Sequence, residues 1–306
     1  MKQQSTQAFK KQSKRLKTMH GTSDLLAFTL PALVLVLIVM VIPFCMNLYY
    51  GFTEWNGISS NAKFVGFDNY KKILFHDPTF WKDMWFSIKF GLFYVVIVNI
   101  LSMVAALALY RQNKITTLGR ALLFVPFVIS MVAISLIWKF ILTSGFQNIY
   151  EKTGWTLFGL SWLGDPKVAF YAVVLISVWQ NIGFYMVIYI AGLINIPTDI
   201  LEAAKIDGAG AWTTFWKIKL PLLMQSVTIC LFCSISFALK LFDIILVLTK
   251  GGPANATCSV AYNIYREAFM NYHYGLATAK SIIFFLLCIV ITIVQMHITK
   301  KREVQL

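Results

Sequence analysis

Six stretches of this chain are apolar for at least the length a helix needs to cross a bilayer, roughly 20 residues. They fall at about 25–51, 84–110, 121–143, 169–194, 222–249 and 276–298. Hydrocarbon offers no water to backbone N–H and C=O groups, so such segments satisfy those groups internally, as helices. The expected fold is therefore all-α and integral to a membrane, with six transmembrane helices. Composition agrees: 58% of residues are hydrophobic and 13% charged, about half the charged share of a soluble domain.

The formal charge of +14 invites a nucleic-acid reading, but its placement argues otherwise. Fifteen of the 27 Lys and Arg fall in tails and loops on one side of the six spans, eight on the other, and four in or beside spans. That bias is the positive-inside pattern, which reports orientation. It puts both termini in the cytoplasm and leaves no call for nucleic acid. Residues 1–23 form a basic cytoplasmic tail, with Lys2, Lys10, Lys11, Lys14, Arg15 and Lys17 available to anionic membrane lipid. A cleaved signal peptide is the rival, but the run that follows is too long for a signal core and lacks a small-residue cleavage site. Residues 24–306 are then one transmembrane domain in the cell membrane of a prokaryote. The cysteines, Cys45, Cys230, Cys233, Cys258 and Cys288, mostly sit in spans, where cysteine packs as a small apolar residue.

Between the fourth and fifth spans lies the longest polar-rich interruption, residues 197–221, on the cytoplasmic side. Asp199 with Glu202 three residues on suggests a capping box, and Ile200 to Asp207 suits a short helix. Gly208 stands where a helix end needs a left-handed residue. A second amphipathic helix is expected from Ala211 to about Lys219, with Trp212, Phe215 and Trp216 on one side, and Pro221 opening the next span. The small residues Ala203, Ala204, Gly208, Ala209 and Gly210 would let another backbone approach closely.

The spacing E-A-A, three residues, G, nine residues, I-x-L-P (Glu202, Ala203, Ala204, Asp207-Gly208-Ala209, Ile218, Leu220, Pro221) resembles the EAA loop of membrane subunits of binding-protein-dependent ABC importers. Phe64 to Tyr70, F-V-G-F-D-N-Y, and Phe242 to Pro253, F-D-I-I-L-V-L-T-K-G-G-P, are similar to phrases of the carbohydrate branch, the multiple-sugar, maltose and glycerol-phosphate permeases. One departure is Gln225-Ser226, where some relatives carry proline. The resemblance implies a coupling loop docked on a cytoplasmic ATPase. It also implies a second homologous permease, two ATPase subunits, an extracytoplasmic solute-binding protein and a carbohydrate substrate.

No phosphate-binding G-x-x-x-x-G-K-[ST] occurs and no catalytic or metal-ligating constellation stands out, so ATP and Mg belong to the partner ATPase and this chain carries no cofactor. Polar residues inside spans are the remaining signal, since they are costly unless paired or wet. In span four, Ser177, Asn181, Phe184 and Tyr185 share a helical face beside Gln180; in span five, Ser236, Lys240 and Asp243 share one beside Ser234 and Phe237. Hydroxyls, amides and rings together suit a sugar. Two alternatives stand beside this: Gln180 and Asn181 bridge neighbouring helices, and Lys240 pairs with Asp243 along the helix. The rival function is an ion-coupled secondary transporter using Lys240 and Asp243 without an ATPase.

Overall fold

The computed structural model describes residues 22–303 apart from 60, 112 and 302, so the basic tail lies almost wholly outside the described residues. Helix α1 runs from Thr22–Val36 through a π-helical turn, Leu37–Val41, into Ile42–Tyr50. A two-residue antiparallel strand pair, β1 (Thr53–Glu54) and β2 (Lys63–Phe64), follows, with Thr53 opposite Phe64. The chain is thus not helical throughout, although these short strands are its only sheet among the described residues. Then come α2 (Asp68–His76), α3 (Pro78–Leu109), α4 (Lys114–Val128) and α5, which is Met131–Phe140 continued through Ile141–Gly145 into Phe146–Thr153. After α6 (Pro166–Ile194) and α7 (Thr198–Ile206), α8 runs from Ala211–Thr214 through a π turn to Leu220–Leu222. The chain closes with α9 (Met224–Leu239), α10 (Val260–Tyr265) and α11 (Tyr274–Lys300).

Among the described residues, five helices are long and apolar enough to span a membrane, and α8 with α9 makes a sixth candidate bent by 71°. Two of them begin alike. Asp77 accepts from the Phe80 N–H ahead of α3, and Asp165 accepts from the Lys167 and Val168 N–H groups ahead of α6. Each acid is followed by a proline at the first helical position, where the missing N–H costs nothing. These caps start α3 and α6 a few residues before the apolar runs expected at 84 and 169.

The expected third and fifth spans are each broken. A single helix over 121–143, kinked at Pro126, is replaced by α4 and α5, because the backbone turns extended at Ile129 and Ser130. Pro126 itself stays inside α4, since its ring crowds only the turn before it; at the break the side chain of Gln180 donates to the Ile129 carbonyl at 3.0 Å. Span five begins at Met224, beyond the bend, rather than at Pro221, and its helix stops at Leu239. Ser259 Oγ donates to the Leu241 carbonyl at 2.6 Å, satisfying part of that second break, and a π turn resumes at Ile245–Thr249.

The core is built on α6, which is enclosed by α3, α4 and α9. Phe90, Tyr94, Val98, Val173, Ile176, Met186 and Cys230 fill it. Gly183 marks the α4–α6 crossing: a Cβ there would collide with the Leu123 carbonyl oxygen, so only glycine allows this approach. Helix α1 is peripheral and buries no residue of Ile42–Tyr50. It leans on α11 through Phe44–Phe285 (ring centroids 5.3 Å apart) and the Asn47–Ser281 hydrogen bond.

Candidate functional site

The segment 197–221 folds as a helix, a turn and a second helix at the junction of α6 and α9. Helix α7 starts at Thr198, with Pro197 in the capping position and no side-chain cap. The capping box expected from Asp199 and Glu202 does not form. Pro197 supplies the extended backbone that opens the helix, and both acids lie within the first turns instead. At the other end the Ala209 N–H reaches the Ala204 carbonyl and the Gly208 N–H the Lys205 carbonyl. This is a Schellman closure, and it needs the left-handed Gly208, at φ +75°. Nothing lies within 4 Å of a Cβ built on Gly208, so backbone conformation alone requires glycine there within this chain.

Helix α8 carries Trp212 and Trp216 edge to face at 5.6 Å. Trp212 is 76% exposed and Ile206, at the tip of α7, 85% exposed. Glu202, Ala203, Asp207 and Gly208 are exposed as well; Ala204 is buried, and Ala209, Ile218, Leu220 and Pro221 are half-buried. Lys219 lies 5.2 Å above the Tyr110 ring, tying α8 to the end of α3. The result is an anchored knob whose outer face sets the exposed Ile206, Trp212 and Trp216 among charged residues such as Glu202 and Asp207.

The span-four candidates fall elsewhere. Ser177, Gln180, Asn181 and Tyr185 are buried inside the chain. Gln180 bridges to α4's terminus, and Asn181 donates to the Ser177 carbonyl of its own helix. The Tyr185 hydroxyl lies 3.5 Å from that of Tyr94. Ser234 is also buried, accepting from Asn99, whose carbonyl oxygen takes the Tyr189 hydroxyl at 2.7 Å. Phe184 stacks on Phe127 at 4.6 Å, and Phe237 meets Tyr94 at 5.0 Å; both are half-buried. Ser177 Oγ and Gln180 Oε1 are buried without a hydrogen-bond partner among the described residues.

Lys240 and Asp243 are both exposed, on either side of the break in span five. They do not share a helical face, because the helix ends at Leu239, and no ion pair joins them among the described residues. Non-helical backbone at membrane depth persists only where protein buries it or it lines a wet cavity. Here Leu241 and Ile244 are buried while Lys240 and Asp243 are not.

A polar centre that the sequence reading missed lies at the opposite end of the bundle from Gly208. Lys280, on α11, is 1% exposed, and its ammonium is 2.8 Å from both Asp77 and Glu267. It also donates to Asn263, which donates in turn to Asp83. His273 meets the second oxygen of Glu267 at 2.8 Å. Burial alone would raise the Glu267 pKa, but its bonds to Lys280 and His273 outweigh that and hold it at about 2. The signal was present: a lysine several residues inside an apolar run needs acidic partners, and acids cluster near the ends of the neighbouring segments.

These features define a polytopic helical membrane protein with two broken spans and a projecting helix–turn–helix. Residues 98–304 match the family described as the binding-protein-dependent transport system inner membrane component, and the chain belongs to it. It is 38% identical to a probable starch degradation products transport system permease protein, AmyD, of Thermoanaerobacterium thermosulfurigenes, over 91% of this chain and 94% of that one. It is 34% identical to the multiple sugar-binding transport system permease protein MsmF of Streptococcus mutans, over 90% and 95% respectively. A bacterial ABC transporter involved in import of the acidic polysaccharide alginate shares the fold, with a TM-score of 0.79 at 20% identity over 94% of this chain and 99% of that one. The chain is therefore a transport permease component.

Proposed function

We propose that this chain forms half of the translocation pathway of an ATP-driven carbohydrate importer in a prokaryotic cell membrane, with an oligosaccharide as substrate. The observation that carries the reading is the knob of α7, Gly208 and α8. Its closed turn, exposed Ile206 and Trp212 and E-A-A…G…I-x-L-P spacing suit docking into a cleft of an ATPase subunit. Both termini are assigned to the cytoplasm with this knob, on the bias of Lys and Arg. ATP and Mg bind the ATPase pair, a second related permease completes the pathway, and a solute-binding protein delivers the sugar from outside. The sugar permeases among its relatives support the substrate class.

Of the nine pathway candidates, Phe184, Phe237, Lys240 and Asp243 are the less enclosed and are proposed to meet substrate. Gln180, Tyr185 and Ser234 instead tie their helices to the end of α4 and to α3, and Ser177 and Asn181 are enclosed within α6's buried face. Alternating access then follows if ATP-bound and nucleotide-free ATPases bind the two orientations of the knob with different affinity.

The test is affinity purification from the native cell in mild detergent, with mass spectrometry of the co-purifying proteins. A second permease, an ATPase and a sugar-binding protein are expected. A chain that purifies alone would defeat the reading and return attention to ion-driven uptake through Lys240 and Asp243.

A further inference from the structure

A cleft of about 450 Å³ lies between the start of α3 and the start of α6, at the end of the bundle opposite Gly208. Lys82 and Lys89 enter it from α3 and Lys167 from α6, beside Trp85, Phe170 and Tyr171. No carboxylate lines it, and among the described residues none of the three lysines is in an ion pair. The acids nearest in sequence are engaged elsewhere: Asp83 with Asn263, and Asp165 with the first N–H groups of α6. Three cations thus converge on one cleft, with Asp83 beside Lys82 balancing only part of their charge.

Lys89 is the demanding member. It lies eleven residues beyond Pro78 in α3, about 16 Å along the axis at 1.5 Å per residue. Helix α3 exceeds a hydrocarbon core of roughly 30 Å by about 9 Å at each end, so Lys89 sits well below the interface. Its ammonium rests 4.4 Å above the Phe170 ring. That contact offsets only part of the cost of a charge at this depth. A snorkelling lysine points its ammonium toward the headgroups, which here is toward Lys82 and Lys167.

Below the cleft, α6 presents Tyr171, Leu175 and Trp179 at four-residue steps, all exposed. An anionic head above an apolar track describes one ligand chemistry: a phosphate ester carrying acyl chains. We propose that this cleft binds the phosphate of an anionic phospholipid, Lys82, Lys89 and Lys167 contacting its oxygens and the Tyr171–Trp179 face seating a chain. A small free phosphate matches the lysines but leaves the apolar track unused. The site shares no residue with the knob or the proposed pathway, and only the choice of leaflet rests on the orientation given above.

The test uses the full chain in nanodiscs of mixed phosphatidylcholine and phosphatidylglycerol, with native mass spectrometry counting the lipids it retains. The wild type should prefer phosphatidylglycerol by roughly fivefold for each engaged lysine. K82Q/K89Q/K167Q should bring the preference toward equality, and K82R/K89R/K167R should restore it, which separates charge from packing. Equal retention of the two lipids by the wild type, or an unchanged preference in the glutamine variant, would overturn the proposal. So would displacement of the phosphatidylglycerol by millimolar inorganic phosphate, because the ligand would then be a soluble anion. Lipid retention does not depend on transport, so failure of the importer reading would leave this result intact.

Discussion

Lys280 shows what a single buried charge demands. Two carboxylates at 2.8 Å and the Asn263 amide fix it, and these groups come from the start of α3, from α10 and from the π turn that follows it. Removing one partner of such a pair strands the others, which typically costs about 3–5 kcal/mol. K280M should therefore lower the unfolding temperature of the detergent-purified chain sharply, and K280M/E267Q/D77N should recover much of the loss. An unchanged melting curve for K280M would mean that the hub contributes no net stability. The same hub predicts an acid response. Glu267 is held at about 2, below its ordinary 4.5, so its contribution is fully present above about 4.5 and is lost as pH falls toward 2. Glu267's contribution to stability should drop between those values and be level from pH 5 upward. E267Q should flatten that drop, measured by thermal unfolding across the pH series.

At the scale of elements, helix existence was legible in the sequence and helix interruption was not. The runs near 84–110 and 169–194 became α3 and α6 because length and hydropathy suffice to recognise a span. Pro126 signalled a kink, yet the break came at Ile129 and Ser130, where a side chain fifty-one residues away in sequence accepts the cost. Nothing local encodes that partner. The faces of α6 were obscure for a related reason: a helix apolar all round offers no stripe to tell core from lipid. Hence Ser177 and Gln180 could be placed on one side of α6 but not assigned to the interior, and Asn99, which joins Tyr189 to Ser234, went unnoticed. In the knob, the turn chemistry was readable because Gly208 has a backbone reason to be there, whereas the start of α7 shifted to Pro197. This separation gives a clean test. Asn tolerates the left-handed conformation and meets nothing within 4 Å in the free chain, so G208N should insert and melt within about 1 kcal/mol of wild type. A bulkier residue such as tryptophan should add a loss of ATP-driven uptake in vesicles holding all partners. Full uptake by a well-folded G208W would count against a partner packed on this turn.

Across the whole molecule, α9 is one unbroken helical rod between two interruptions. At one end Leu223, fully buried, carries the 71° bend from α8; at the other the helix stops at Leu239 before the exposed Lys240 and Asp243. Helices transmit displacement, and breaks absorb angular change. The arrangement therefore predicts that motion of the knob rotates α9 about Leu223 and is delivered at residues 240–242. Spin labels can separate the two parts in the assembled importer, with the exposed Cys45 and the half-buried Cys233 and Cys288 replaced to keep labelling specific. Thr213 and Ile229 straddle the bend, whereas Gln225 and Phe232 both lie within α9, and all four are exposed. On adding ATP, the distance distribution of T213C/I229C should shift while that of Q225C/F232C stays fixed. If the first pair does not move, α8 and α9 turn as one body and the bend is not the pivot. If the second pair moves, the rod itself deforms, and the break at 240–242 no longer needs to take up the displacement.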